Sequence, residues 1–114
     1  MAAPTMQTAD TNMQRCIQEC LNCHRICLET ASYAATTGNI EHILTLLDCA
    51  EICQTSANFM IRGSDLHIHT CEACAAICEA CADVCEQMSN DAQFSACAAS
   101  CRRCAQSCDT MTTA

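Results

Sequence analysis

The sequence predicts an all-α protein, an antiparallel up-down-up-down four-helix bundle with a cysteine-lined core. The chain has 114 residues and 15 cysteines. Within each block of cysteines, successive members stand three or four positions apart, which places their side chains on one face of an α-helix. No segment alternates like a strand, and the connections between blocks are short, which favours antiparallel neighbours. The four blocks are Cys16, Cys20, Cys23 and Cys27; Cys49 and Cys53; Cys71, Cys74, Cys78, Cys81 and Cys85; and Cys97, Cys101, Cys104 and Cys108.

One domain is expected to follow a short N-terminal tail. Residues 1–10 contain Pro4 and several threonines, and we interpret them as a tail or a short extra helical turn. Thr11 and Gln14 have the spacing of a capping box, so the first helix is expected to begin there. Residues 11–114 are then expected to form a single four-helix-bundle domain.

Glycines and small polar residues predict where the first two helices meet and end. The first helix is expected to reach about Tyr33 or Ala35, and Gly38 stands just past its end, where a glycine readily adopts the left-handed conformation. Asn39 predicts the N-cap of the second helix. Gly63 predicts its end.

The second half of the chain predicts two further helices. Residues 64–70 are expected to form a connection or an irregular helix start, and the third helix continues to about Met88. Residues 89–91 provide the last turn and a cap. The fourth helix then extends to about Met111, so the interior would be a sulfur-lined tube.

Charge and composition exclude several classes of partner. The formal net charge is −8 and only 5 residues are basic, whereas nucleic acids and anionic membranes attract basic surfaces. We therefore expect no nucleic-acid or membrane partner. The first residues lack a signal-peptide pattern, and no apolar run has the length of a membrane span. These features favour a cytoplasmic protein.

The abundance of cysteine requires a choice between disulfides and free thiols. Short cysteine-rich chains are commonly secreted disulfide scaffolds. An odd number, however, leaves one thiol unpaired in an oxidised monomer. Neighbours on a helix also have β-carbons about 5 to 6 Å apart, whereas a relaxed disulfide requires about 3.5 to 4.5 Å. Reduced thiols are therefore the better interpretation.

Reduced thiols in helical register predict the binding of soft metal ions. Thiolates select Cu(I), and they also hold zinc and iron–sulfur clusters. If each thiolate bridges two Cu(I) ions, the ratio of metal to sulfur approaches one and the buried core is nearly neutral. Isolated four-thiolate zinc sites would each carry two negative charges in the same apolar tube. The sequence thus predicts storage or buffering of multiple Cu(I) ions per chain, and sequestration of zinc or cadmium is the nearest alternative.

Further soft ligands extend the cysteine stripes at one end of the bundle. That end combines the starts of the first and third helices with the ends of the second and fourth. We interpret it as a mouth through which metal enters. Its residues are Met13, Met60, His67 and Met111. The opposite end is expected to be more apolar and closed, and the stripes there reach Leu46, His42, Met88 and Phe94.

The repeated C-x-x-x-C and C-x-x-C steps of residues 16–27, 71–85 and 97–108 resemble those of the bacterial copper storage proteins. The resemblance covers about residues 11–111. It implies a homotetramer of four-helix bundles, each filled with Cu(I) through one open end. In lacking an export signal, the chain is similar to the cytosolic branch of the family. It departs from the family pattern in having two cysteines on the second helix and in mixing methionine with histidine at the mouth.

A thiol–disulfide redox protein is the main hypothesis from another class. C-x-x-C occurs four times, for example at Cys20 and Cys23, but thioredoxin-like catalysis expects that motif beside a βαβ unit with an exposed thiol at a helix start. Iron–sulfur electron transfer is a further alternative, although cluster ligands usually lie in irregular loops. Because the motifs here lie inside helices, we expect no enzyme activity.

Overall fold

The computed structural model describes residues 8–88 and 90–112, and these residues form a four-helix bundle. Within this part of the chain there is no β-strand. The all-α class predicted from the cysteine spacing is therefore confirmed. The helices are α1 (Thr8–Thr37), α2 (Ile43–Ile61), α3 (His67–Glu86) and α4 (Ala92–Thr112), and a 3-10 helix (Ile40–His42) precedes α2.

The first helix starts earlier than the sequence predicted. It begins by Thr8, so Thr11 lies inside the helix and is not its N-cap. The proposed tail falls partly on residues 1–7, which lie outside the described residues. The division into residues 1–10 and 11–114 stays a prediction.

Two glycines end α1 and α2, as predicted. Gly38 has φ +83° and Gly63 has φ +70°, values in the left-handed region that glycine adopts without a Cβ clash. After α2, the Ser64 amide donates to the Phe59 carbonyl at 2.9 Å. This hydrogen bond closes the helix end and turns the chain towards α3.

Asn39 does not cap α2, so this part of the prediction is wrong. Its side chain makes no capping hydrogen bond. The side-chain Nδ2 of Asn39 instead donates to Thr37 Oγ1 at 3.5 Å. The 3-10 helix comes between Asn39 and Ile43, where α2 begins. The chain uses this extra turn to reverse direction before α2 can start.

Asp91 caps α4, which confirms the prediction for that residue. Its Oδ1 accepts from the amides of Gln93 at 2.8 Å and Phe94 at 3.2 Å, so it satisfies two amides that have no partner within the helix. The Tyr33 hydroxyl of α1 donates to Oδ2 at 2.5 Å, and the Tyr33 and Phe94 rings meet edge to face with centroids 6.1 Å apart. This contact joins α1 and α4 at the closed end.

The helices pack as a ring in which α1 and α3 each contact α2 and α4. The molecule measures 53 × 23 × 21 Å. Cysteine and alanine provide most of the interior, since both are small and frequently buried. Among the largest fully buried side chains, only Phe94 and Leu46 are bulky hydrophobic groups. The antiparallel bundle predicted from the sequence is therefore present, with sulfur filling the volume that leucine usually occupies.

The outer face of α3 is acidic and exposed, and it is tied to α4 by one arginine. Arg102 forms ion pairs with Glu79 at 3.0 Å, Asp83 at 2.8 Å and Glu86 at 2.7 Å. Because these carboxylates are exposed, salt screens the pairs and they contribute little to stability. Among the described residues, no helix combines the length and hydropathy needed to cross a bilayer.

Candidate metal centre

Every cysteine of the chain points into the bundle. All 15 have a relative exposure of 0%, and all are free thiols within the described residues. Steps of three and four residues keep each stripe on one helix face, and the four faces meet along the axis. The interior is therefore a column of sulfur atoms.

The contacts between α1 and α4 run the length of this column. Near the mouth, Cys16 Sγ lies 3.6 Å from Cys108 Sγ, and towards the closed end Cys27 Sγ lies 3.8 Å from Cys97 Sγ. A start-to-end pairing of this kind is what antiparallel helices produce. The sulfur atoms are thus within contact distance of one another at both ends of the column.

The α2 and α3 thiols fill the other side of the column. Cys49 Sγ lies 3.7 Å from Cys78 Sγ, and Cys53 Sγ lies 3.8 Å from Cys74 Sγ. Cys23 of α1 joins the two sides, with its Sγ 3.9 Å from that of Cys49. Although α2 carries only two cysteines, both are at the centre of the sulfur network.

The thiols form overlapping groups of four in which all Sγ atoms lie within 4.8 Å of one another. Sulfur atoms on opposite sides of one metal ion would be about 4.6 Å apart, using a zinc–thiolate bond of about 2.3 Å as a guide. The groups share members, so that a thiol such as Cys23 belongs to two groups. Five of the groups are Cys20, Cys74, Cys104 and Cys108; Cys23, Cys49, Cys53 and Cys78; Cys23, Cys27, Cys49 and Cys101; Cys27, Cys81, Cys97 and Cys101; and Cys53, Cys74, Cys78 and Cys104.

Hydrogen bonds between neighbouring thiols near the mouth give these thiols different pKa values. The hydrogen bond with Cys108 raises the pKa of Cys71 to about 11, and burial acts in the same direction. The pKa of Cys16 is also raised, chiefly by Cys108. The pKa of Cys108 itself is lowered, because the Cys104 thiol and then its other neighbours donate to its sulfur. Cys108 therefore loses its proton more readily than Cys16 and Cys71 beside it.

The methionines predicted at the mouth lie beside the end of the column. Met60 is 2% exposed, and its Sδ is 3.8 Å from Cys71 Sγ. Met13 and Met111 are half-buried and pack against the core. The structure brings Met60 into contact with a column thiol, whereas Met13 and Met111 lie at the margin of the core.

His67 is half-buried at the first position of α3. Its Nδ1 lies 2.7 Å from the Ser64 carbonyl. A carbonyl only accepts, so Nδ1 carries a proton, and in the neutral form of the ring Nε2 is the nitrogen with a lone pair. Histidines that bind metals are commonly oriented by such a hydrogen bond from the second ring nitrogen. His67 therefore has the tautomer that a metal ligand needs.

Two other histidines have different surroundings. His69 is 76% exposed and lies 3.8 Å from Glu72 on the outer face of α3. His24 Nδ1 donates to the Ala50 carbonyl at 2.7 Å, which joins α1 to α2. Neither residue faces the sulfur column.

One buried polar residue of the column was missed by the sequence analysis. Ser56 of α2 is fully buried, and its Oγ lies 3.4 Å from Cys71 Sγ. The available indication was its position three residues after Cys53, on the same face of α2. Serine is usually exposed, so this register alone does not predict a place in the column.

Solved structures with the same fold include a protein from Nitrosospira multiformis and a copper storage protein from Streptomyces lividans. The first is 41% identical, with 90% of this chain and 96% of that chain covered and a TM-score of 0.83. The second, in a form loaded with 10 copper equivalents, is 30% identical, with 98% and 92% covered and a TM-score of 0.87. Another structure of the Streptomyces lividans protein, described as cytosolic and holding five coppers, is 31% identical over 90% and 92% of the two chains, with a TM-score of 0.83.

No curated protein sequence matches the chain. A family model described as copper storage protein matches residues 2–113, nearly the whole chain. The resemblance drawn from the cysteine spacing is confirmed, and the chain belongs to the copper storage protein family.

Proposed function

We propose that the protein stores Cu(I) as thiolate-bridged clusters along the sulfur column, with all fifteen cysteines as ligands. The observation that carries this proposal is the sharing of thiols between neighbouring groups of four. A shared thiol serves two groups only if its sulfur bridges metal ions. Bridging brings the number of ions towards the number of cysteines, so the column has the capacity that storage requires.

Charge supports Cu(I) as the stored ion. Among the described residues, no basic side chain is buried in the column to neutralise thiolates, and most of the buried residues are cysteine and alanine. Each Cu(I) replaces one thiol proton and leaves the local charge unchanged. A soft monovalent ion therefore fills the interior without the cost of burying an unpaired charge.

The mouth supplies neutral ligands for ions on their way into the column. Met60 makes the first contact with a column thiol, and His67 offers Nε2. Met13 and Met111 extend the same margin. Thioether and imidazole bind Cu(I) without releasing a proton from a thiol, so an ion exchanges between them readily. The lowered pKa of Cys108 means that this thiol exchanges its proton for the entering cation more readily than Cys16 or Cys71.

The protein acts as a homotetramer in the cytoplasm and catalyses no reaction. The apolar residues around the start of α2 support an oligomer, because Ile40 of the 3-10 helix is 70% exposed and Leu44 of α2 is 76% exposed. A Streptomyces lividans relative is described as cytosolic. Storage also needs reduced thiols, which a reducing compartment maintains. Analytical ultracentrifugation of the full chain tests the tetramer.

An anaerobic titration of the reduced protein with Cu(I), in competition with a chromophoric chelator, tests the storage function. We expect tight uptake of more than about ten ions per chain, because bridging thiolates hold about one Cu(I) per sulfur. Saturation after one or two ions would contradict storage and would indicate a chaperone or a sensor.

A variant with Met13→Leu, Met60→Leu, His67→Ala and Met111→Leu tests the mouth. The rates of copper loading and removal should fall while the capacity is unchanged, because the column thiols remain. His69→Ala is the matched control, since that exposed histidine lies away from the column. Unchanged rates in the fourfold variant would contradict the assignment of the mouth.

Sequestration of zinc is the second candidate function. The Sγ separations of 3.6 to 4.0 Å between neighbouring thiols are compatible with the edges of a tetrahedral four-thiolate site. Because the groups share cysteines, only a few separate sites of this kind can form at once. Zinc would therefore saturate at a small fraction of the Cu(I) capacity, and a parallel zinc titration distinguishes the two functions.

A further inference from the structure

The closed end of the bundle contains two soft ligands that the storage mechanism does not use. A pocket of about 190 Å³ opens there beneath the connection between α1 and α2. Its lining includes His42, the last residue of the 3-10 helix, and Met88, which follows α3. A histidine and a methionine from separate segments of the chain thus line one small space.

Met88 also belongs to the end of the sulfur column. It stands three residues after Cys85, and its amide donates to the Cys85 carbonyl at 3.0 Å, which continues the helical turn beyond Glu86. Residues three apart in such a turn lie on the same side of the chain. The Met88 side chain is half-buried and packs against the core. It therefore contacts the core with one part and lines the pocket with another.

Bulky apolar side chains lie at this end of the sulfur column, since Phe94 and Leu46 are both fully buried. Such an apolar environment disfavours the passage of a hydrated ion. Transfer would need direct exchange of ligands. Met88 is suitably positioned for this exchange because Cys85 precedes it on the same side of α3.

We propose that His42 and Met88 form a Cu(I) site at the closed end that exchanges ions with Cys85. The proposal rests on the function proposed for the sulfur column. A neutral imidazole and a thioether suit Cu(I), and Glu41 in the same pocket adds a negative charge that favours a cation. Because it contains no thiolate, the site holds its ion more weakly than the column does, which fits transit better than storage.

Nuclear magnetic resonance of the reduced, isotope-labelled full chain tests this site. The column is first saturated with Cu(I) under anaerobic conditions, and one further equivalent of Cu(I) is added. We expect the His42 ring and the Met88 methyl resonances to shift. The His24 ring serves as the control and should not move, because its Nδ1 is already bonded to the Ala50 carbonyl between α1 and α2.

Variants separate metal binding from a merely structural role of these residues. His42→Ala should weaken the binding of the additional Cu(I) ion about tenfold or more, as loss of ligand-sphere contacts commonly does. Met88→Leu should have the same effect while nearly keeping the side-chain volume. Combined with the mouth variant, the two changes should slow loading beyond the effect of the mouth variant alone. His24→Ala should change neither quantity.

The outcomes for the column and for this site can be told apart. While the column is being saturated with Cu(I), thiolate-to-copper absorbance should develop, and its absence would contradict the proposed storage function. If that absorbance develops normally but the His42 and Met88 resonances stay unshifted, the storage function stands and the closed-end site is overturned. A loading rate that the His42→Ala and Met88→Leu changes leave unaltered in both backgrounds would also overturn it.

Discussion

Ser56 occupies a gap in the sulfur column, and filling that gap should add capacity. Its Oγ lies 3.4 Å from Cys71 Sγ, and the residue is fully buried. Ser56→Cys exchanges oxygen for sulfur with little change in shape. Because the number of stored ions follows the number of bridging thiolates, we expect about one more tightly bound Cu(I) per chain in the anaerobic chelator titration.

The control for this prediction is Ser95→Cys. Ser95 is exposed on α4, so its thiol would stand alone in water and would not compete with the chelator. A folded Ser56→Cys variant with unchanged capacity would show that copper uptake is not set by the sulfur atoms of the column.

For single residues, the sequence identifies metal ligands where one residue type in one pattern has a single dominant role in proteins. Fifteen cysteines in helical register indicate a metal-binding interior, and their burial followed from the register alone. Ser56 could not be assigned in the same way, because serine occurs on many exposed helix faces. Its role depends on how closely α2 approaches Cys71 of α3, and this distance is a result of tertiary packing.

Asp91 determines where α4 begins and joins that helix to α1. It caps the amides of Gln93 and Phe94 and accepts the Tyr33 hydroxyl. Asp91→Ala should lower the thermal midpoint of the metal-free protein, measured by circular dichroism, because the capping bonds are lost. Asp91→Asn should lower it less, since asparagine caps nearly as well.

Asp91 should also make the stability of the protein at the start of α4 sensitive to acid. The pKa of Asp91 is lowered from its usual 3.8, first by the Tyr33 hydroxyl and also by the amides of Phe94 and Gln93. Its stabilising contribution is therefore present above pH 3.8 and is lost as the pH falls through the lower folded-state pKa. The gap between the midpoints of the wild type and Asp91→Ala should therefore narrow as the pH falls below 3.8. A gap that is equally wide at pH 3 and pH 7 would contradict this role of the carboxylate.

Helix ends were predicted well where the backbone itself demands a residue type. Gly38 and Gly63 have positive φ angles that other residues rarely adopt, so their positions identified the ends of α1 and α2. Asn39 failed as a cap because asparagine suits turns as well as N-caps. The 3-10 helix that replaces the cap depends on the path by which the chain crosses to α2, and local composition does not specify that path.

For the whole molecule, protons and Cu(I) compete for the same sulfur atoms. Thiols that are fully buried stay mostly protonated until a metal ion balances their charge, and the pKa values of Cys16 and Cys71 are raised, so we expect each bound ion to release about one proton. Apparent Cu(I) affinity should therefore fall about tenfold for each pH unit of acidification. Competition with a chelator of known pH dependence at pH 6, 7 and 8 measures this slope. An affinity that does not change with pH would mean that the thiols are already ionised before copper arrives.

Copper should stabilise the bundle without changing its fold. In the metal-free protein the thiols already lie in groups with Sγ atoms within 4.8 Å of one another, so loading needs only small side-chain adjustments. Far-ultraviolet circular dichroism should stay nearly constant during the titration. Each ion that binds the folded state stabilises it, by about 2.7 kcal/mol when free ligand is 100 times the dissociation constant, and bridging ions join all four helices. The thermal midpoint should thus rise progressively with each equivalent of Cu(I). A large gain in helix content on loading would contradict a column that is assembled before metal binds.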